Sequence, residues 1–264
     1  MMTGVNKKTL KLLITFVLCA SEITLSWSDV KLNGKPISSD TGGIRLDSNE
    51  NGSIDLVLSS DGKLGVGELT PSANLHVSGN VYISGNITLA DEIEYSGSGK
   101  PNRSLILTAA GATPAASSGV TQTRVGGTNH TFYVLDYDAD SDESAFWHWI
   151  QPDHYDSGSI SVTLYWMAAS TTGSVVWGLQ TKGITLGEAV DDSLGGSELS
   201  TASAQATTNT LNSTTFTTFS PGWEAGDYIV FKVYRDADNG SDDMTGNARL
   251  IKAKIEYAAA RESD

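Results

Sequence analysis

Two acidic runs and one aromatic-rich stretch hold most of the side chains in this sequence that can do chemistry. Asp136-Tyr137-Asp138-Ala139-Asp140-Ser141-Asp142-Glu143 places five carboxylates in eight positions, and Asp236-Ala237-Asp238-Asn239-Gly240-Ser241-Asp242-Asp243 repeats the theme. Alternating acids on a loop can converge on one hard cation, because Ca²⁺ takes about six to eight oxygen ligands and tolerates irregular geometry. In the second run Asp236, Asp238, Asn239, Asp242 and Asp243 are the candidate calcium ligands, with Gly240 supplying the sharp bend. The run lacks the twelfth-position Glu of an EF-hand, and apolar-alternating segments rather than helices flank it. Asp47-Ser48-Asn49-Glu50-Asn51-Gly52 imitates the same opening, but Leu58 occupies the closing ligand position and Asn51-Gly52 reads as a hairpin turn. All these acids serve equally well as solvated turns that keep a β protein soluble.

The aromatic stretch offers a second chemistry. Trp147, Trp149, Tyr155, Trp166 and Trp177 could stack on the C–H faces of sugar rings. Trp166 and Trp177 lie in alternating apolar faces and read as core. Trp147 and Trp149 share one face of their segment, and Phe146, His148 and Ile150 share the other, so one of the two sets must point outward. An outward Trp pair, with Tyr155 nearby, would be a glycan site or a subunit contact, and an inward one would be core. His148, Asp153, His154 and Asp156 form the one cluster resembling a catalytic or metal site. Gln151-Pro152 interrupts it, and loop residues without convergence are the plainer reading. No nucleophile motif is present, and nothing points to an enzyme.

The segments that would position these residues are strands. Ile160, Val162, Leu164 and Trp166 alternate with Ser161, Thr163 and Tyr165; Val175, Trp177 and Leu179 repeat the pattern, as do Ile229, Phe231 and Val233, and then Ile251, Ala253, Ile255 and Tyr257. Phe132 to Leu135, Phe146 to Ile150 and Thr207 to Phe219 add further candidates. Period-two alternation between Gly, Asp and Ser turns, without a helical period, predicts an all-β fold: a jelly-roll β-sandwich head over residues 116–264. Residues 29–115 have a different texture. Their aromatic residues are Tyr82 and Tyr95, too little bulk for a core of their own. Short strands around Ile54–Leu58 and Leu64–Val66, then Val77-Ser78-Gly79-Asn80-Val81-Tyr82 echoed by Ile83-Ser84-Gly85-Asn86-Ile87-Thr88, predict a slender, repetitive β shaft completed by sister copies, most simply as a homotrimer. The small-residue run Ala109–Gly119 is the expected hinge.

Composition sets outer limits. Lys plus Arg number 17 against 31 Asp plus Glu, a net charge of −14, which argues against a nucleic-acid partner. The single cysteine, Cys19, excludes an internal disulfide framework. Lys7, Lys8 and Lys11 precede the uncharged run Leu12–Ala20, with small residues at Ser26 and Ser28, so residues 1–28 read as a signal-like segment, too short for a stable membrane span. A buried strand or an N-terminal plug in a virion protein is the alternative.

The run Gly62-Lys63-Leu64-Gly65-Val66-Gly67-Glu68-Leu69-Thr70-Pro71-Ser72-Ala73-Asn74-Leu75-His76-Val77-Ser78-Gly79-Asn80 resembles a motif of phage tail-fibre proteins and bacterial fibre-like surface proteins: a glycine-rich strand, a turn with proline, then L-x-V-x-G. Glu68-Leu69 departs from the small polar residues usual there. The resemblance implies a trimeric, elongated shaft. The expectation is therefore a non-enzymatic, secreted or virion-surface fibre-like protein whose head binds a surface ligand such as a glycan multivalently. A purely structural subunit of a filament or capsid decoration is the alternative.

Overall fold

The computed structural model describes residues 37–40, 43–46 and 55–262. The signal-like segment and Asp47–Gly52 lie outside the described residues. The chain divides into two compact units, Met1–Ile87 and Thr88–Asp264.

In the first unit, β1 (Ile37–Asp40), β2 (Gly43–Leu46), β3 (Leu56–Ser59) and β4 (Leu64–Val66) pair antiparallel in chain order, and β5 (Leu75–Val77) adds parallel to β4. Asp61-Gly62 makes the β3–β4 turn. Gly62 has φ 82°, a left-handed geometry that glycine adopts without strain, and its N–H donates to the Ser59 carbonyl at 3.0 Å. Gly65 is required for a different reason. A Cβ there would come 2.2 Å from the Glu68 carbonyl oxygen, so only glycine lets the following loop fold back over this face of the sheet. The motif of Gly62–Asn80 is thus a strand, a returning loop and a short parallel strand. The six-residue repeat behaves otherwise: residues 78–93 form no strand, and Val81, Tyr82, Ile83 and Ile87 are exposed. Strands persist only where successive backbone N–H and C=O groups find ladder partners, and among the described residues this stretch makes only isolated backbone bonds at its ends, Ser78 N–H to the Val66 carbonyl and Glu262 N–H to the Ile93 carbonyl. The expected repetitive shaft is corrected to one five-stranded sheet followed by an unladdered segment.

The second unit is all-β, with two packed antiparallel sheets. One has the order β13 (Glu198–Ser203), β12 (Ser174–Ile184), β15 (Tyr228–Arg235), β10 (Glu143–Ile150), β7 (Thr113–Pro114). The other has the order β14 (Asn212–Phe219), β11 (Tyr155–Ala168), β16 (Ala248–Ala259), β9 (Thr131–Tyr137), β8 (Thr121–Gly126), with β6 (Asn102–Thr108) also pairing β16. From β9 onward consecutive strands cross between sheets, except for the β12–β13 pair, a connectivity consistent with a jelly roll. Strands β6 and β7 fall among residues 29–115, yet they pair with β16 and β10. Aromatic poverty did not mark them because β6 packs aliphatic Leu105 and Leu107 against the sandwich, and the segment leading to β7 adds only the small Ala109 and Ala112.

The core follows the alternation. Ile160, Val162, Leu164 and Trp166 face Val175, Trp177 and Leu179 across the interior, joined by Ile229, Phe231 and Val233. Trp177 meets the edge of Tyr137 at 5.1 Å and Trp166 at 6.0 Å. One expected row breaks: Leu250 is buried and Ile251 only partly so, because an irregularity in the β11–β16 register near Tyr165/Trp166 shifts the parity by one residue.

Candidate functional site

Parity decides which residues of the five-stranded sheet look outward. On β10, Trp147 is 4% exposed and its Nε1 donates to the Thr108 carbonyl at 2.9 Å. Trp149 is half-buried, meets Trp223 edge-on at 5.4 Å and donates its Nε1 to Gln151 Oε1. Tyr155, on β11, is 3% exposed and its hydroxyl donates to the Gly158 carbonyl. Burial, helped by the negative charge of Asp156, pushes its pKa up to about 12. The structure thus places two of the three aromatics expected to stack a ligand, Trp147 and Tyr155, in the buried cluster and the third, Trp149, half-buried against it.

The opposite set faces out instead. Phe146, His148 and Tyr228 form an offset row of nearly parallel rings: Phe146 and His148 are 6.3 Å apart at 13°, and His148 and Tyr228 are 5.6 Å apart at 12°. The β10–β15 register places Phe146 opposite Lys232 and Ile150 opposite Tyr228. On the next strand pair, Tyr234 lies opposite Gly178, and a Cβ on Gly178 would come 2.1 Å from Tyr234 Cζ. The missing side chain is what lets the Tyr234 ring lie against β12. The ammonium of Lys232 sits 4.9 Å above that ring and donates to Gln180 Oε1 at 3.0 Å. Burial lowers its pKa, and the charge of Asp142 partly opposes the shift. The face therefore offers an apolar aromatic strip beside the Gln180 amide and the Lys232 ammonium. The signal for it was available, since Tyr228, Lys232 and Tyr234 alternate with Ile229, Phe231 and Val233, but it carries meaning only once the inner set is known.

Partial burial lowers the pKa of His148 below its ordinary 6.5, so the fold favours the neutral ring. The unfolded chain then takes up a proton first as pH falls. The stability held by neutral His148 is present above about pH 6.5, and acidification from there down to the folded midpoint removes it. The expected result is a His148 imidazole resonance that titrates with a midpoint below 6.5 in an NMR pH series.

The acidic runs come together in part. Asp142, Asp236 and Asp238 bring carboxylate oxygens within 4.8 Å of one another. Asp142 Oδ1 accepts the Ala237 N–H at 2.7 Å, and Asp236 Oδ2 accepts from Asn239 Nδ2 at 2.8 Å. Asp242 and Asp243 are used elsewhere. Asp242 is buried against Arg235 at 2.7 Å and accepts the Val176 N–H, while Asp243 accepts the Ser174 N–H at 2.6 Å. Asn239 Oδ1 accepts the Ser241 N–H within the turn. Of the five expected calcium ligands, Asp236 and Asp238 converge, and Asp142 from the first run joins them.

The His–Asp cluster does not converge on one point. His148 lies in the aromatic row, His154 Nε2 lies 3.0 Å from the Tyr257 hydroxyl, and Asp156 pairs with Lys100 at 3.0 Å. A cleft of about 180 Å³ lined by Leu179, Thr181, Gly195, Glu198, Phe219 and Pro221 is smaller than the roughly 300–1,000 Å³ of small-molecule sites. Among the described residues no helix is long and apolar enough to cross a membrane.

No protein-family model and no curated protein matches the chain. Among solved structures it is similar to a family 35 carbohydrate-binding module from Clostridium thermocellum, at 12% identity over 58% of this chain and 97% of that one, with a TM-score of 0.38. It is also similar to the CBM22-1 xylan-binding domain from Paenibacillus barcinonensis Xyn10C, at 6% identity over 60% and 95% of the two chains and a TM-score of 0.35. A third is a CBM36 module in complex with calcium and xylotriose, at 12% identity over 57% and 98% and a TM-score of 0.35. These are carbohydrate-binding modules and not fibre proteins, so the fibre resemblance of Gly62–Asn80 is corrected.

Proposed function

We propose that the chain is a non-enzymatic, extracellular surface protein whose second unit binds an extended carbohydrate across the outward face of its five-stranded sheet. The observation that carries this reading is the offset row of Phe146, His148 and Tyr228 beside Tyr234, Lys232 and Gln180. Apolar ring surface stacks on sugar C–H faces, and flanking amide and ammonium groups donate and accept hydrogen bonds with hydroxyls. An open sheet face suits a chain of sugars better than a single small molecule, since each unit adds a weak contact along the strip. Rings held by packing against neighbouring rings lose little freedom on binding, which limits the entropic cost of recognition.

Asp142, Asp236 and Asp238 fit a hard cation by donor type and spacing. In this reading they would hold calcium, which would fix the loops after β9 and β15 by charge neutralisation. The residues retained from the expected set are Asp236 and Asp238; Asp242 and Asp243 fasten the loop instead.

The test is binding to a glycan array and to insoluble polysaccharides, with calcium or with a chelator. Phe146→Ala and Tyr234→Ala are expected to weaken binding at least about tenfold each while leaving the near-UV spectrum of the buried tryptophans unchanged. Trp147→Phe, on the inner face, is expected to leave affinity unchanged. Equal binding by wild type and both outward variants would overturn the site, and no binding to any glycan would overturn the function.

A further inference from the structure

We propose that the glycan held on the outward face of the five-stranded sheet is an acidic one, and that Lys232 selects it by binding its carboxylate or sulfate group. This rests on the carbohydrate reading and narrows it to a chemical class. The chain carries 31 Asp plus Glu against 17 Lys plus Arg. The outward positions of the three middle strands, β12, β15 and β10, reverse that balance: they carry Lys182 and Lys232 and no carboxylate.

The two lysines are not equivalent. Lys182 Nζ lies 3.1 Å from Asp192 Oδ2, so its charge is already met. Lys232 stands on β15, the central strand of the sheet, and makes no ion pair among the described residues. Its partners are neutral: the Gln180 amide oxygen at 3.0 Å and the ring of Tyr234 at 4.9 Å. Asp142, whose charge reaches the ammonium, is engaged in its loop, where Oδ1 accepts the Ala237 N–H at 2.7 Å. An ammonium has three donors. One is spent on Gln180, and the positive charge is left uncancelled.

Position then decides what cancels it. A Cβ on Gly178 would collide with Tyr234, so that ring lies close against β12 and the ammonium is held above it. A half-buried cation has given up part of its hydration, and a charge in that state is ordinarily paired. Phe146 stands directly across from Lys232 on β10, a separation of about 5 Å between opposed residues. A sugar stacked on the Phe146 end of the aromatic row therefore has the ammonium as its neighbour. A hydroxyl there gains a hydrogen bond, whereas a carboxylate or sulfate gains a bond charged on both sides, roughly twice as strong. The net charge of −14 repels a polyanion at long range, but that field is screened within about 8 Å at physiological ionic strength, and contact at Lys232 is shorter.

The test gives the full chain pairs of glycans that differ in charge alone: uronic-acid oligosaccharides against their carboxyl-reduced forms, and sulfated galactans against desulfated ones. The acidic member of at least one pair is expected to bind at least about tenfold more tightly, and the pair that responds tells carboxylate from sulfate. Lys232→Met is expected to erase that preference and Lys232→Arg to keep it, a rescue that packing alone would not give. Neutral members that bind as tightly as acidic ones, and are still weakened by Phe146→Ala, would overturn the acidic ligand and leave the carbohydrate site standing. An acidic preference untouched by Lys232→Met would overturn the role of Lys232. Absence of binding to every glycan would overturn both readings.

Discussion

Arg235→Met is expected to destabilise the second unit by about 3–5 kcal/mol in urea unfolding, the range for removing one partner of a buried ion pair. Arg235 is fully buried and Asp242 nearly so, with side-chain exposures of 0% and 1%. Nε and Nη2 donate to the two Asp242 oxygens at 2.9 and 2.7 Å, Nη1 donates to the Gly246 carbonyl and Nη2 to the Met244 carbonyl. Methionine fills much of the same volume but leaves two carbonyls without the Arg235 donors and a buried carboxylate whose charge is met only by the Val176 N–H. The Coulomb attraction is not what is lost; the uncompensated charge is what costs. Arg235→Met combined with Asp242→Leu is therefore expected to recover a large part of the loss, and a double variant no better than the single would refute the explanation. The same clamp holds the loop that carries Asp236 and Asp238, so hydrogen exchange across residues 236–246 is expected to accelerate in Arg235→Met before global unfolding does.

Trp177→Ala is expected to cost about 3–5 kcal/mol, as large-to-small changes in packed cores do. Its ring touches Tyr137 and Trp166, so the cavity is walled by rigid rings that cannot collapse into it. The more discriminating comparison is to phenylalanine. Trp166 Nε1 donates to Thr214 Oγ1 at 2.8 Å, whereas Trp177 Nε1 has no acceptor among the described residues. Both substitutions shrink the ring equally, but only Trp166→Phe breaks a buried hydrogen bond. Trp166→Phe is expected to be about 1 kcal/mol the more costly. Equal costs in chemical denaturation would mean the buried indole bond contributes nothing.

Alternation alone placed the β-sandwich in this sequence, because a strand with one buried face writes its orientation into every second residue. Ile160–Trp166, Val175–Leu179 and Ile229–Val233 face the interior as their spacing requires. The convergence of acids was legible in kind but not in membership. Spacing along one loop nominated Asp242 and Asp243, yet Arg235, seven residues before Asp242, and the neighbouring strand claim them.

The tertiary structure decided the rest. For β10, composition offered two faces of equal credibility, Trp147 and Trp149 or Phe146 and His148. The interior accepted the tryptophans because Trp223, Phe231 and Thr108 offered ring contacts and a carbonyl acceptor there. Aromatic poverty in residues 29–115 marked a unit short of core, but pairing carried β6 and β7 into the sandwich. Periodicity is a property of one segment and can be read along it. Which face a second segment covers depends on contacts between residues far apart in the chain, and only the folded molecule brings those together.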